Sequence, residues 1–375
     1  MGDQSELDEF RRENSPLFND QKLKLGIFAS NVSNGMMATK VPTGYEVSWP
    51  HTKQIARQAD AMGFEAIVPV GRWRGFSGEI DFAGECFETY TWAAGIAEAT
   101  ENIVVFATSH LPTLHPIVGA KQAVTCDHIA QGRFGLNVIM GWFTPEMEMF
   151  GAKQREHDER YQFGSEWMDI VKRLWTDDEP FDFDGRYFSI REAQAKPKPL
   201  QNPYPILVNA GSSPAGIDFS ARHVDVNFVG MGTFEMGAAA ATAVRAKAAE
   251  YGRSIGTMTY ASVVCRDTED EAKRDYELLV DGIDWDSIDY LTKVFGLEGH
   301  SYGDAEQVRL ARLQFAMAWG GMTFVGTPEQ IVDQLQKTSD AGIDGLMLGF
   351  HDYLPELKHF DETVMPLLRQ AGLRH

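Results

Sequence analysis

The chain has 375 residues, of which 43% are hydrophobic and 23% charged, as is typical of a soluble globular enzyme. Its 54 acidic and 34 basic residues give a net charge of -20. Binding to nucleic acid or to an anionic membrane surface needs clustered basic side chains, and no basic run here is longer than two residues. We therefore expect neither a nucleic-acid partner nor a membrane partner.

The three cysteines, Cys86, Cys126 and Cys265, are odd in number and widely spaced. This pattern fits neither a disulfide framework nor a zinc-ribbon site, so we expect a cytoplasmic protein. The first 18 residues are polar and lack the apolar segment of a signal peptide, and no transmembrane helix is expected. We predict an N-terminal arm over residues 1–22, poorly ordered or packed on a partner subunit, and a single domain over residues 23–375.

Eight short apolar runs recur along the chain, as expected of strands buried on both faces of a parallel sheet. They cover residues 23–29, 65–71, 103–109, 133–141, 205–210, 225–230, 259–264 and 345–350. Helical patterns lie between them, among them residues 51–64, 116–130, 159–175 and 327–342. Eight strands with intervening helices predict an α/β fold, a (β/α)8 TIM barrel, because open doubly wound sheets usually have about five to seven strands.

The strand–helix rhythm breaks after strands 2, 4 and 7, where we predict insertions. Residues 72–85 are a glycine-rich loop, residues 142–204 hold one helix and an otherwise irregular stretch, and residues 283–322 separate the seventh helix from the last unit. Loops after the carboxyl ends of barrel strands build the active site. The insertions are therefore the predicted walls of that site.

The fourth strand carries a polar side chain, Asn137, and Glu146 follows its end by a few residues. A buried asparagine must find hydrogen-bond partners, which at a barrel mouth includes a ligand ring. Neighbouring backbone can satisfy the same amide, and a loop glutamate is more often solvated than functional. On these residues alone both interpretations stay open.

Two segments have the features of an anion site. In EHDERY (156–161), Asp158 is a candidate helix cap, and Arg160 and Tyr161 follow in the first turn. In NAGSSPAG (209–216), a turn through Gly211, Ser212 and Ser213 leads into a helix whose first residue is a proline, with free N–H groups and hydroxyls for a phosphate. An ordinary charged first turn and simple N-capping are the alternatives.

Other polar residues also follow strand ends. Thr108, His110 and His115 lie at or just after the carboxyl end of the third strand, and His351 comes after the eighth with an aspartate beside it. These histidines are too few and too scattered for a metal site, and their roles stay open. After the second strand, Gly71 and Arg72 begin the glycine-rich loop, which either closes over an anionic or planar ligand or is a flexible surface loop.

The ordered set of motifs resembles the bacterial-luciferase-like monooxygenases that depend on reduced FMN. FATSHLPTLHPIVGAKQAVTCDHIAQGRFGLNVIMGWFTPE, then EHDERY and ILVNAGSSPAG, carry the resemblance, which covers most of residues 23–370. Within the family, the chain is most similar to the monooxygenases that open pyrimidine rings and to those that act on dimethylsulfone. NVSNGMMATK resembles the sulfone enzymes, whereas RGFSG and the GWxxPE turn resemble the pyrimidine enzymes.

The resemblance implies an oxidoreductase that uses reduced FMN and O2 to oxygenate and cleave a small organic molecule, such as a sulfone, a sulfonate or an N-heterocycle. In these relatives the oxygenating species is proposed to be a flavin-N5 peroxide. The resemblance also implies a separate NAD(P)H-dependent flavin reductase as a partner and a homodimeric or homotetrameric assembly. It does not identify the substrate.

The resemblance also assigns roles to residues of this chain. Asn137 would contact the isoalloxazine ring or the substrate, Glu146 would face one of them, and Thr108 would line the oxygen pocket. Arg72 would act in catalysis as a cation, and it stands where the pyrimidine enzymes have a lysine. By the same resemblance, Asn137, Glu146 and Arg72 would also bind the cofactor. Six further residues would bind it with them: Gly71, Arg160, Tyr161, Gly211, Ser212 and Ser213.

Three alternatives remain at this point. A coenzyme-F420-dependent oxidoreductase shares the fold, although its polyanionic cofactor suits a chain of charge -20 less well. A non-catalytic flavin-binding protein is disfavoured by the joint presence of Arg72, Thr108, Asn137 and Glu146. A metal-dependent barrel hydrolase would need a tighter set of histidines and carboxylates.

Overall fold

The computed structural model describes Arg11, residues 13–295 and residues 305–375. Eleven strands lie in these residues: β1 (Lys24–Phe28), β2 (Ala66–Val68), β3 (Val104–His110), β4 (Phe134–Ile139), β5 (Phe181–Asp184), β6 (Ser189–Ala193), β7 (Ile206–Asn209), β8 (Val226–Phe228), β9 (Gly256–Cys265), β10 (Met322–Gly326) and β11 (Gly345–Gly349). All eight predicted strands are among them.

Twelve α-helices lie in the described residues, together with short 3-10 turns at Pro16–Phe18 and Leu111–Thr113. The helices are α1 (Trp49–Ala61), α2 (Thr89–Ala99), α3 (Pro116–Ile129), α4 (Thr144–Met149), α5 (His157–Thr176), α6 (Pro214–His223), α7 (Phe234–Glu250), α8 (Glu269–Asp281), α9 (Trp285–Val294), α10 (Ala305–Ala318), α11 (Pro328–Asp340) and α12 (Tyr353–Gln370).

The strand order confirms the predicted (β/α)8 TIM barrel. Hydrogen-bonded neighbours run β9-β11-β1-β2-β3-β4-β7-β8, and β8 pairs again with β9, so the eight strands close. The strand pairs whose register is described within this ring are parallel. Because the strands of a closed parallel barrel end at one face, polar residues at the ends of β3, β4 and β7 can belong to a single active site.

Two features of the sheet were not predicted. The hairpin β5–β6 is antiparallel and separate from the barrel, and it lies in the stretch that we expected to be irregular. Strand β10 pairs in parallel with the second half of β9 and lies between the segment 283–322 and the helix predicted from residue 327, where no strand was expected. In β5 phenylalanines alternate with exposed aspartates, and β6 has exposed Arg191 and Glu192 side by side, so the hairpin produces no continuous apolar run. Strand β10 is short and only partly buried.

The predicted helix starts are largely confirmed. Pro116 begins α3, and Thr327 caps α11 in a capping box with Gln330. Asp158 was predicted as a cap, and this is wrong: the N-cap of α5 is Glu156. The Asp158 carboxylate instead lies 2.8 Å from Nδ1 of His157, within the first turn of the helix.

Two units can be distinguished from contacts within the chain. The first comprises Glu88–Asn227, Ala243–Gly256 and the described residues before Asp20; the second comprises Asp20–Phe87, Phe228–Thr242 and Thr257–His375. The first has a buried core rich in tryptophan, with Trp92, Trp167 and Trp175 all nearly inaccessible. In the second, the Arg374 guanidinium and the Glu65 carboxylate form a buried ion pair at 2.8 Å. The prediction of a single domain over residues 23–375 stays a prediction.

The described part of the N-terminal segment packs on its own chain. Arg11 is buried and forms an ion pair with Asp225 of the same unit, and Leu17 is buried as well. Asp225 is fully enclosed, and Arg11 supplies the opposite charge that lowers its pKa against the effect of burial. The arm expected over residues 1–22, poorly ordered or packed on a partner subunit, stays a prediction, because residues 1–10 and 12 lie outside the described residues.

No helix among the residues that the structure describes combines the length and the apolar character needed to cross a bilayer.

Candidate active site

Asn137 and Thr108 form a pair at the carboxyl ends of neighbouring strands. They are register partners on β4 and β3, and Asn137 Nδ2 donates to Thr108 Oγ1 at 3.2 Å. The hydroxyl of Thr89 holds the Thr108 carbonyl oxygen at 2.8 Å. Asn137 Oδ1 is buried and accepts no hydrogen bond from the described residues. The amide is therefore half satisfied by a side chain, and its oxygen is left for a donor that the described residues do not provide.

Glu146 lies in the first turn of the short helix α4 and is fully buried. Its backbone N–H donates to the carbonyl oxygen of Phe143 at 3.1 Å, which starts the helix directly after the β4 exit. A solvated loop glutamate was the alternative expectation, and burial of the carboxylate does not fit it. A buried carboxylate needs hydrogen-bond donors or a cation around it.

Arg160 lies in the first turn of α5, and its guanidinium reaches back to the end of β4. Nη1 donates to the carbonyl oxygen of Gly141 at 3.3 Å, and Nε2 of Gln154 donates to the same oxygen at 2.9 Å. Nε of Arg160 is buried, with no hydrogen-bond partner in the part of the chain that the structure describes. The guanidinium is thus held in place while one of its donors remains open.

The N-terminus of α6 gathers hydroxyl groups. Ser213 is the N-cap, and its Oγ accepts from the Gly216 N–H at 3.1 Å. Ser213 also hydrogen-bonds with the Tyr161 phenol, whose pKa is raised by burial and lowered in part by that bond and by the nearby charge of Arg160. A Cβ atom on Gly216 would lie only 2.7 Å from the Tyr161 hydroxyl oxygen. The structure therefore brings Arg160, Tyr161 and Ser213 together, as two separate motifs predicted.

The two other residues of this turn differ in exposure. Gly211 is buried, and a Cβ there would lie 2.7 Å from Cα of Gly216, so the turn and the helix pack closely at this point. Ser212 is exposed and is not the cap. Of the two serines proposed as caps, the structure selects Ser213.

Three buried polar residues beside this turn were not predicted: Asn209, Ser220 and Asn227. Asn209 and Asn227 interrupt the apolar runs of β7 and β8, which is the same signal that singled out Asn137. Ser220 had no such signal, because a serine in a helix is ordinary until its contacts are known.

Arg72 belongs to the second unit. It is buried, its Nε donates to the carbonyl oxygen of Gly71 at 2.7 Å, and its guanidinium carbon lies 5.4 Å from the centre of the Phe76 ring. Phe76 in turn packs on Phe82 and Trp319, with ring centres 6.0 and 5.6 Å away. The loop is therefore anchored by aromatic packing and is not the flexible surface loop of the alternative interpretation.

The histidines have structural contacts. His115 caps α3, where its Nδ1 accepts from the Ile117 N–H at 3.3 Å, and His110 is buried at the end of β3. His351 Nε2 lies 3.2 Å from the Pro42 carbonyl oxygen, and burial lowers its pKa. Within residues 13–295 and 305–375 no three histidine, cysteine or acidic side chains are grouped as metal ligands.

Comparisons with known proteins identify the family of the chain. The family model of the luciferase-like monooxygenases matches residues 23–345. The pyrimidine monooxygenase RutA of Cronobacter turicensis is 31% identical over 353 residues, which cover 92% of this chain and 93% of that protein. RutA of Klebsiella pneumoniae (strain 342) is 31% identical and covers 92% of this chain and 96% of its own length.

Solved structures of the same fold are similar over nearly the whole chain. Riboflavin lyase superposes with a TM-score of 0.84 at 22% identity, covering 94% of this chain and 92% of that one. DmoA from Hyphomicrobium sulfonivorans superposes with a TM-score of 0.81 at 18% identity, covering 94% and 89%. At these identities the likeness shows the fold.

The chain belongs to the luciferase-like monooxygenase family. The oxidoreductase class expected from the motifs, a monooxygenase, is confirmed. The roles assigned to single residues are not tested by these comparisons and stay predictions.

Proposed function

We propose that the chain is a two-component monooxygenase that uses reduced FMN and O2 to oxygenate and cleave a small organic molecule. The observation that carries the proposal is the cluster at the N-terminus of α6. There the Ser213 hydroxyl bonds with the Tyr161 phenol, and the charge of Arg160 is near enough to lower the pKa of that phenol. A buried Nε of Arg160 lacks a partner among the described residues.

The donor set at this helix end fits the phosphate of FMN. The N-terminus of a helix carries partial positive charge and free N–H groups, which stabilise an anion. A guanidinium adds a full charge, and two hydroxyl groups add donors, so a doubly charged phosphate is matched better than a carboxylate. Gly211 and Gly216 have no side chains to keep a ligand away from the backbone.

The open oxygen of Asn137 fits an N–H of the flavin ring or of the substrate. An N–H donated to Asn137 Oδ1 would complete the hydrogen bonding of a buried amide, whose other end Thr108 already fixes. Reduced FMN, when bound, supplies the two electrons with which one oxygen atom of O2 enters the substrate while the other leaves as water. The residues of the chain have to orient both molecules and exclude bulk water.

We keep catalytic roles for Glu146, Thr108 and Arg72 as part of the proposal. The buried Glu146 carboxylate is suited to hold the substrate or the flavin by accepting hydrogen bonds. The Arg72 guanidinium is suited to stabilise oxyanion charge that develops on a substrate, since burial strengthens a charge–charge interaction. Thr108 fits the oxygen pocket, as the family resemblance implies, and Gly71 and Ser212 stay predicted FMN contacts.

A pyrimidine is the first substrate to test, because relatives at 31% identity are pyrimidine monooxygenases. Arg72 argues for some difference in specificity, since a planar guanidinium stands where those enzymes have a lysine. Sulfones, sulfonates and other N-heterocycles complete the panel. We also propose that an NAD(P)H-dependent flavin reductase is the partner and that the chain forms a homodimer or homotetramer. We further propose a cytoplasmic location, because the three cysteines are free.

The experiment combines the purified protein with a flavin reductase, NADH, FMN and each candidate substrate. We expect oxygen uptake coupled to a product that is heavier by one oxygen atom or cleaved, identified by mass spectrometry with 18O-labelled O2. Catalase separates this uptake from uncoupled peroxide formation. Turnover with reduced F420 in place of FMN, or oxygen uptake that no substrate of the panel couples to a product, would count against the proposal.

A further inference from the structure

A buried hydrogen-bond network surrounds Asn209, the last residue of β7. Its Oδ1 accepts from the Gly211 N–H at 2.8 Å and from the Ser220 hydroxyl at 3.0 Å. Its Nδ2 donates to the carbonyl oxygen of Val138 on β4 at 2.6 Å. One amide thus ties the turn after β7 to helix α6 and to the neighbouring strand, which fixes the direction in which the chain leaves β7.

Asn227 on β8 completes the network. Its Nδ2 is shared among the Ser220 hydroxyl oxygen at 2.8 Å, the Asn209 carbonyl oxygen at 3.1 Å and the Gly211 carbonyl oxygen at 3.3 Å. Ser220 is therefore the hub, since it donates to one asparagine and accepts from the other. All three side chains are almost inaccessible to solvent.

The network holds the backbone that leads into Ser213. The N–H and the carbonyl oxygen of Gly211 are both bound by it, so the peptide groups on each side of that residue have a set orientation. A side chain at Gly211 would collide with Asn209 Oδ1, at 2.7 Å from a Cβ atom. The turn therefore has one conformation that satisfies its buried polar groups, and departures from it leave some of them without partners.

We propose that Asn209, Ser220 and Asn227 are positioning residues that set the turn of residues 210–213 for binding the phosphate of FMN. The inference rests on the proposed function, since it presumes that FMN is the ligand. The three side chains are too deeply buried to touch the ligand themselves, so they act through the backbone of the turn. The affinity for a phosphate that is bound by N–H groups and a cap hydroxyl depends on the direction of these donors and on their positions to within a few tenths of an ångström.

The test compares two flavins that differ only in the phosphate, FMN and riboflavin, on the purified full chain. In Ser220→Ala, Asn209 Oδ1 keeps its bond from Gly211 and Asn227 Nδ2 keeps two carbonyl acceptors, so no buried group loses its last partner. Alanine also favours the helix. We expect the dissociation constant of FMN to rise about tenfold and that of riboflavin to stay unchanged, measured by quenching of flavin fluorescence.

Thr338→Val is the matched control. It removes a buried hydroxyl that bonds to the Gln334 carbonyl oxygen within α11, at 2.9 Å, and should leave both constants as they are. Equal losses for the two flavins in Ser220→Ala, or no loss for either, would overturn the positioning role. If a thermal melt shows that the Ser220→Ala variant is not folded, Asn227→Ala is tested with the same two flavins. Wild-type protein that binds FMN no better than riboflavin would refute the phosphate site itself, which is a separate result.

Discussion

The half-satisfied amide of Asn137 is the clearest functional signal among single residues of the first unit. Thr108 fixes its nitrogen, while its buried oxygen has no donor among the described residues. A buried polar atom left without a hydrogen bond costs about 1–3 kcal/mol. A ligand that donates to this oxygen recovers that free energy, so the site gains affinity for an N–H group at one position only.

We expect Asn137→Ala to lower kcat/KM by about tenfold or more, because it removes the acceptor that orients the ligand. The measurement is substrate-dependent oxygen uptake with reduced FMN. Asn102→Ala, which changes an exposed asparagine just before β3, serves as the control and should leave kcat/KM unchanged. A fully active Asn137→Ala variant with the thermal stability of the wild type would remove Asn137 from the site.

Sequence alone could find Asn137 but not what it does. A polar side chain inside an apolar run is visible without a structure, and the same rule applied to Asn209 and Asn227 would have found them. Their partners are 71 residues away in one case and 18 in the other, and which group donates to which depends on strand register. That is why the site residues could be nominated from sequence while their pairing could not.

Helix α6 packs closely on the turn before it, and this close approach of two backbone segments requires glycine at the point of contact. A Cβ atom on Gly216 would lie 2.7 Å from both the Tyr161 hydroxyl and Cα of Gly211. Backbone cannot give way as the end of a flexible side chain can, so a methyl group here must displace the turn or the tyrosine.

We therefore expect Gly216→Ala to weaken FMN binding by at least about tenfold, since both displaced groups belong to the proposed phosphate site. Gly230→Ala is the control, because a Cβ atom there meets nothing within 4 Å. Fluorescence titration with FMN compares the two variants with the wild type. Equal FMN affinity in all three proteins would show that the phosphate does not bind at this helix end.

The junction of α12 with the end of β9 gives a pH-dependent prediction. Burial raises the pKa of Glu356 from its ordinary value of 4.5 to about 7, and Arg266, 3.6 Å away, offsets only part of this effect. The unfolded chain therefore releases this proton before the folded protein does. The contribution of Glu356 to stability is fully present below about pH 4.5 and is lost as the pH rises through about 7.

Replacing Glu356 by glutamine removes this titration. We expect the free energy of unfolding of Glu356→Gln to gain on that of the wild type between about pH 4.5 and 7, by an amount on the order of a few kcal/mol, and to keep a constant difference above that range. Urea denaturation at a series of pH values measures it. Glu362→Gln changes an exposed carboxylate on the same helix and should follow the wild type. A pH-independent difference for Glu356→Gln would contradict the expectation.

Among the secondary elements, the predictable ones are those whose residues are buried on every side. Strand β3 is buried at every residue, β4 at all but its last and β1 at its three central residues, and the mainly apolar segments of all three were found. The hairpin β5–β6 has exposed charged residues in both strands, and β10 is a five-residue, partly buried strand, so their apolar runs are too short to stand out. Whether a strand is buried depends on the elements that pack against it, and the sequence of a single segment does not contain that information.

At the scale of the whole molecule, the net charge opposes folding. A net charge of -20 repels itself more strongly in the folded protein than in the expanded unfolded chain. The barrel tolerates this repulsion because the apolar strands and helices contribute far more to folding than the charges remove. The repulsion nevertheless acts over distances of about 10 Å at moderate ionic strength, so added salt should weaken it.

We accordingly expect NaCl to raise the melting temperature at pH 7.5 between roughly 0.02 and 0.5 M, a range over which the screening length falls from over 20 Å to about 4 Å. The internal control is the same salt series near the isoelectric point of about 4.9, where the repulsion vanishes and the rise should vanish with it. Circular dichroism follows the melting. A rise of the same size at both pH values would mean that salt acts through apolar burial, since that effect does not depend on net charge, and the surface charge would then have no measurable influence on folding.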